Sequence, residues 1–328
     1  MKKLKVSVTH QERQAREGRE KGNMNIKLLG GAATAILFGA TLIPYVDITF
    51  ADEHAADRTS MFSEQWLDTV VSVEQLTSQK QPDGTIKMVP APIGTGFIVE
   101  TKNQHLVLVT AKHVVTDFAD SNQRIRKNLL YRINQREGPA YLLEDLQLEE
   151  KGHGNWFLST THDVACRFLD WKATSKFRVV TQDKFLPKTQ LQTGANLLVL
   201  GFPLGLRSEE HPNPIARKGI VARADKDDLL ADAFIFPGNS GGPVLYEPPI
   251  KIEGRNFIIS PFINEERLIG LVSEFLSYSE TAISQQSKRP RVVFEENSGL
   301  AIIVPADTIS ELLNREDVTK LDSLIEPK

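Results

Sequence analysis

One cysteine, Cys166, stands alone in 328 residues, so no disulfide can form within the chain and its fold must rest on an apolar core. Paired Cys or His spacings of the zinc-site kind are missing too. His153, His162 and Cys166 lie in no such pattern, and neither a metal nor a cofactor is expected. There is no internal repeat and no low-complexity tract, and 41% hydrophobic residues exclude a disordered chain or a fibre. Long amphipathic crossovers between strands are lacking, which excludes βαβ units.

A net excess of basic residues is confined to the N-terminus. The first 27 residues carry eight Lys and Arg against three Glu, whereas the whole chain is formally -3, so everything after Lys27 is acidic. The run "KNLLYRINQR" is too sparsely charged to alter that balance, and nucleic acid is not an expected partner. Only one long hydrophobic run exists, Leu28 to Val46, with basic residues before it and "DITFADE" after it. That order reads as a signal peptide, starting functionally at Met24 and cleaved after Ala51, or as an uncleaved inner-membrane anchor through Leu28 to Val46; a buried helix is a third reading. Under either of the first two the body of the protein is exported, to the periplasm or cell envelope.

What is present from about Ser63 onward is a series of short apolar, β-branched runs broken by turn residues, among them "GTGFIVE", "HLVLVTA", "DVACRFL", "NLLVLGF", "GIVARA", "RLIGLVSEF" and "GLAIIVP". Their length and spacing describe an all-β protein, in two halves joined by the polar stretch between Leu169 and Leu191. The spacing of Thr308 and Glu311 in "PADTISELL" is that of a capping box, with Ile309, Leu312 and Leu313 on one face, so a short C-terminal helix is expected. The residues after Leu313 are too few for another domain.

The stretch "FPGNSGGPVL" crowds three glycines and two prolines around Ser240. A serine hydroxyl is a poor nucleophile near neutral pH. It needs an imidazole within hydrogen-bond reach, and the imidazole needs a carboxylate to fix its tautomer. The chain offers one candidate for each role: His113 in "VTAKHVV", Asp163 in "HDVACRFL" and Ser240 in "GNSGGP". The glycines would then let the Gly238 and Ser240 amides converge beside the hydroxyl, as an oxyanion-binding pair. Taken singly, "GNSGGP" is also a common glycine turn, His113 a satisfied core histidine and Asp163 a strand-edge carboxylate. Cys166 reads as a buried strand residue.

The segments "TAKHV", "DVA" and "GNSGGP" resemble the three active-site segments of trypsin-like serine proteases, in that family's order of His, Asp and Ser. "GTGFIVE", "LGFPLGL", "KGIVARA", "RLIGLVSEF" and "GLAIIVPAD" are similar to segments of the bacterial HtrA-like branch, and the resemblance runs from Trp66 to Leu313. It implies two consecutive six-stranded antiparallel β-barrels of the chymotrypsin-like kind, about 64–170 and 190–305, followed by a helix at about 308–316. Residues 52–328 would form the protease domain and 1–51 the basic N-terminus with its signal or anchor. The resemblance also implies serine endopeptidase activity on extended or unfolded polypeptides. By analogy, the strand around Ser273 and Phe275 would pair with substrate, and Ala233 and Phe234 would floor the specificity pocket. No Asp or Glu occupies "AFIFPGNS", so a small or apolar side chain is expected there. Three departures stand out: the region between Asp117 and Thr161 is longer than the HtrA-like pattern, no PDZ domain follows, and Asn239 replaces the Asp that precedes the nucleophile in digestive relatives. The competing readings are a catalytically silent peptide-binding module, a membrane-anchored scaffold and an esterase of the same fold; the oligomeric state is left open.

Overall fold

The computed structural model describes residues 64–325 apart from 118–123, 151–154, 173–175, 209, 227, 249, 254–255 and 260–264. The predicted signal or anchor, the Ala51 cleavage position and His153 lie outside the described residues. No helix among the described residues is long and apolar enough to cross a membrane.

In the first half a seven-stranded antiparallel sheet has the order β5-β4-β1-β2-β3-β7-β6. Its strands are β1 (Val70–Lys80), β2 (Ile86–Glu100), β3 (His105–Thr110), β4 (Leu129–Ile133), β5 (Tyr141–Glu144), β6 (Phe157–Leu158) and β7 (Ala165–Lys172). The apolar run "HLVLVT" becomes β3, buried along its whole length, in register with β2 through Phe97 and Val109 and with β7 through Val109 and Cys166. Helix α1 (Lys112–Val115) follows directly, and α2 (Asp145–Glu150) follows β5.

The second half is a closed six-stranded barrel, β10-β15-β14-β11-β8-β9. It comprises β8 (Asn196–Gly201), β9 (Ile215–Ala224), β10 (Leu229–Asp232), β11 (Pro243–Tyr246), β14 (Arg267–Ile283) and β15 (Pro290–Pro305), with a separate hairpin of β12 (Ile250–Glu253) and β13 (Asn256–Ile259). Its interior is filled by Val199, Val221, Ala231, Val244, Ile269, Val272, Ala301 and Ile303. The first core extends from Val70, Phe97, Val109 and Phe168 to Leu200, Leu245 and Leu271 of the second half, so apolar packing is continuous across the seam.

The mostly-β, two-sheet architecture is consistent with the chymotrypsin-like double barrel expected from the sequence. The first half differs in strand count. It has seven strands rather than six, and β4, β5 and β6 all come from the region between Asp117 and Thr161, which is therefore built into the sheet. Its anchor is a buried charge cluster. Asp145 accepts hydrogen bonds from the Tyr131 hydroxyl (2.5 Å) and the Leu129 N–H (3.3 Å) and pairs with Arg167. The Arg167 guanidinium lies 5.6 and 5.3 Å from the Tyr131 and Trp156 ring centroids.

The C-terminus also departs from expectation. Helix α3 (Ala306–Leu313) begins two residues before Thr308, with Pro305 at its N-cap, so the predicted capping box does not form. A further helix, α4 (Glu316–Leu324), follows. Asp322 secures it by accepting from Thr101 Oγ1 (2.8 Å) and Asn103 Nδ2 (3.0 Å) and meeting His105 Nδ1 at 2.8 Å.

Candidate active site

His113 sits in α1, one turn past the end of β3. Asp163 occupies the loop just before β7, the strand paired with β3, so the sheet brings residues 50 positions apart into contact. One carboxylate oxygen accepts the His113 backbone N–H (2.9 Å) and the other lies 2.7 Å from Nδ1. This two-point hold fixes both the backbone and the ring, and leaves Nε2 as the nitrogen turned away from the carboxylate. The Ser273 hydroxyl donates to the same Asp163 oxygen at 2.6 Å. Burial, the largest single influence on Asp163, pushes its pKa up. The hydrogen bonds from the His113 ring, the Ser273 hydroxyl and the His113 amide, with the charge of the ring, outweigh it and leave the carboxyl below its ordinary value.

Ser240 is carried to this pair by backbone contacts from both halves. Its carbonyl accepts from the Thr95 N–H (2.8 Å), while the next residue, Gly241, donates to Val272 O (2.7 Å). Gly241 has φ +81, and a Cβ there would overlap the Thr95 carbonyl and the Thr110 hydroxyl and press on the Ala111 nitrogen. Only glycine lets the nucleophile loop lie this close to the β3–α1 junction, two residues before His113. Val272 in turn precedes Ser273, which touches Asp163. The three candidates therefore converge on the seam.

The expected oxyanion pair has a built support. Gly238 takes φ +100, and a Cβ would overlap the Phe202 carbonyl. The Gly238 carbonyl is held by Thr95 Oγ1 (2.6 Å), and the preceding carbonyl, Pro237 O, accepts from the Leu204 N–H (2.7 Å). Among the described residues neither the Gly238 nor the Ser240 N–H donates a hydrogen bond. Asn239, fully buried, braces the loop from within by accepting the Phe236 N–H at 3.0 Å.

Residues 94–247 match the family model of the trypsin-like peptidase domain. That stretch is similar to the trypsin-like peptidase domain and takes in a little under half of the chain. Two solved structures of an HtrA-type protease, AlgW, one with a decapeptide and one with a tripeptide, are similar to it. They are 15% and 16% identical with TM-scores of 0.42 and 0.41, covering 76% and 75% of this chain. The matches take in 64% and 58% of those chains, so this chain spans less than two thirds of their length.

The remaining site residues expected from the sequence are placed as follows. Ala233 is a core residue of the second barrel, and its N–H bonds Gly299 O (2.9 Å). Phe234, next to it, is more than half exposed and lies against Gly299, so the expected pocket floor is an open shelf. Phe275 packs part-buried against the second core. Cys166 is fully buried, and burial pushes its thiol up to about 12, which makes it inert at neutral pH. Among the described residues no three His, Cys, Asp or Glu side chains gather as metal ligands.

Three contributors were not foreseen. Thr95, quoted only as part of "GTGF", uses its amide, hydroxyl and carbonyl to hold Ser240, Gly238 and Thr110. The Ser273 hydroxyl holds Asp163, whereas the sequence suggested only a backbone role. Leu204, at φ +56, fixes the Pro237 carbonyl. Leu204 was quoted only within "LGFPLGL", and nothing in that segment pointed to the oxyanion loop.

Proposed function

We propose that the chain is a serine endopeptidase of the HtrA-like kind, acting on extended or unfolded exported polypeptides through an acyl-enzyme on Ser240. The observation that carries this reading is the two-point hydrogen bond of Asp163 to His113, completed by Ser273. His113 Nε2 takes the Ser240 proton as Oγ attacks the peptide carbonyl. Asp163 steadies the imidazolium, and the Gly238 and Ser240 amides receive the negative oxygen. His113 then gives the proton to the leaving amine as the C–N bond breaks. Water, deprotonated by the same imidazole, hydrolyses the ester and restores Ser240. The internal brace by Asn239 supports a loop that is shaped without a newly cut N-terminus. Export to the periplasm or envelope, by a cleaved signal or an inner-membrane anchor, follows from the order of basic and apolar segments before residue 52.

A fluorophosphonate probe tests the reading, with intact mass and peptide mapping of the wild-type, Ser240→Ala and His113→Ala chains alongside cleavage of denatured casein. Labelling that maps to Ser240 and needs His113, with casein cleavage lost in Ser240→Ala, is the expected result. Casein cleavage that survives in Ser240→Ala refutes the assignment. Turnover of small esters without casein cleavage makes the chain an esterase, and a folded chain that is neither labelled nor active means a site misaligned until a partner or oligomer forms, or a module that binds peptides without cutting them.

A further inference from the structure

Strand β14 does not stop where the barrel does. Val272 is its last residue held by the nucleophile loop, through Gly241 N–H to Val272 O (2.7 Å) and Val272 N–H to Gly242 O (2.9 Å). From Ser273 onward, among the described residues, no strand pairs with the side of β14 opposite β15. Yet β14 continues to Ile283 and pairs with β15 from Ser277 and Asn297 to Ile283 and Pro290. The result is a two-stranded ribbon, exposed along both strands and leaving the barrel at the candidate active site. Its base is pinned to the nucleophile loop by Asn297 Nδ2 to Ile235 O (2.6 Å) and closed by Ser298 Oγ to Leu276 O (2.6 Å).

The ribbon is not the polar, blunted edge that soluble proteins use to avoid stray pairing. The pairs Tyr278 with Glu296, Glu280 with Phe294 and Ala282 with Val292 share one face. Tyr278, Val292 and Phe294 are each at least half exposed on it. An isolated two-stranded ribbon with an apolar face is marginal in water without a further strand or cover. Its free edge is continuous with Ser273, so the natural cover is a polypeptide bound along the cleft.

We propose that this ribbon is an exosite for the part of a polypeptide substrate upstream of the scissile bond. The substrate backbone extends β14 as an added strand, and alternate apolar side chains rest on Tyr278 and Ala282 and lean toward Phe294 and Val292 on β15 beyond them. The polarity follows from the fold. Every strand pairing of the barrel is antiparallel, and a substrate strand that pairs with β14 in the same sense runs toward its own N-terminus as β14 runs toward Ile283. The edge from Ser273 to Ile283 is about 35 Å long at the usual rise per residue, room for many residues beyond those next to the cut. The substrate class is an extended segment with alternating apolar residues well upstream of the cleavage point. This inference rests on the peptidase reading for its polarity and place, but the binding itself can be measured without turnover.

A short peptide spanning the main cut in denatured casein is compared with the same peptide lengthened by a Val-Ser repeat, either upstream or downstream. Upstream lengthening should lower KM about tenfold, the worth of two or three cross-strand contacts, with kcat unchanged. Y278S/V292S/F294S should lose that gain, keep the melting temperature and cleave the short peptide as before; Phe294→Ser alone should lose part of it. Equal KM for all three peptides, a gain only from downstream lengthening, or a gain kept by the triple variant overturns the proposal. Anisotropy of the fluorescein-labelled Val-Ser repeat on the Ser240→Ala chain reads binding by itself. Ribbon-dependent binding without any casein cleavage leaves the exosite standing and removes the peptidase reading, whereas cleavage without ribbon-dependent binding does the reverse. Sedimentation velocity covers the remaining occupant: wild-type oligomers that the triple variant dissolves, with no change in peptide binding, would make the ribbon a contact between copies.

Discussion

Replacing Arg207 by Met should disable the site at little cost to the fold. Glu74, on β1 and fully buried, is shared by two guanidinium groups. Arg132 binds it through Nε (2.9 Å) and Nη2 (3.2 Å), and Arg207 through Nη2 (2.9 Å), with its Nε 2.7 Å from Oε1 but outside hydrogen-bonding geometry. Arg207 lies three residues after Leu204, whose N–H holds the Pro237 carbonyl. Leu204 sits at φ +56, a conformation that costs a non-glycine residue about 1–2 kcal/mol and persists only when its surroundings enforce it. The Glu74 tether is one such constraint. Losing a charge-assisted hydrogen bond costs about 1.5–3 kcal/mol, but Glu74 keeps Arg132, and the Met variant removes a buried cation, so a net loss of about 1 kcal/mol is expected. The loop then relaxes, Leu204 releases Pro237, and the Gly238 amide is no longer aimed. Loss of one oxyanion donor lowers kcat by about 10²–10³. Peptide hydrolysis and a thermal melt measure the two effects side by side. Adding Leu204→Gly, which accepts positive φ without strain, should restore part of kcat. A folded Arg207→Met chain with kcat within about threefold of wild type would refute the link from Glu74 to the oxyanion loop.

Two further outcomes follow from the same geometry. Ser273→Ala removes one of the hydrogen bonds that hold the Asp163 carboxyl below its ordinary value. A depressed carboxylate stabilises the fold above its unfolded pKa and loses that contribution as pH falls through the folded one. The variant should therefore lose kcat/KM and stability at higher pH on the acid side, with a fall of about tenfold or less at neutral pH; an acid limb unchanged from wild type would contradict this. Gly241→Ala puts a Cβ into the Thr95 carbonyl and the Thr110 hydroxyl at φ +81, so fluorophosphonate labelling of Ser240 should disappear; normal labelling kinetics would mean the loop has slack that this packing denies.

The residues whose chemistry is local were legible in the sequence. His113, Asp163 and Ser240 stand in short motifs, and the hydrophobic runs of β3, β7, β8 and β14 have the length and β-branched content of buried strands. Less legible was anything decided by long-range pairing. Strand β5 has only four residues, and it exists because β4 offers an edge and Asp145 finds Arg167. Helix α4 is weakly patterned and is held by Asp322 against a turn more than two hundred residues away. The ribbon escaped because "SYSETAISQQSKRPRVVFEEN" is polar on average, while Tyr278, Val292 and Phe294 come together on one face only after the register is set.

Thr95 shows why the site belongs to neither half alone. Its amide and hydroxyl, on a strand of the first sheet, fix the carbonyls of Ser240 and Gly238, and its hydroxyl also accepts the Phe202 N–H (3.1 Å) at the end of β8. Ser273, on a strand of the second barrel, holds the carboxylate that orients the first half's histidine. Each half thus supplies the alignment of groups carried by the other. The buried bonds across the seam, from Thr95 to the Gly238 and Ser240 carbonyls (2.6 and 2.8 Å), are short and desolvated, so small relative shifts of the halves are costly at these points. Moving one half against the other would break the nucleophile loop, the histidine support and the apolar packing across the seam together.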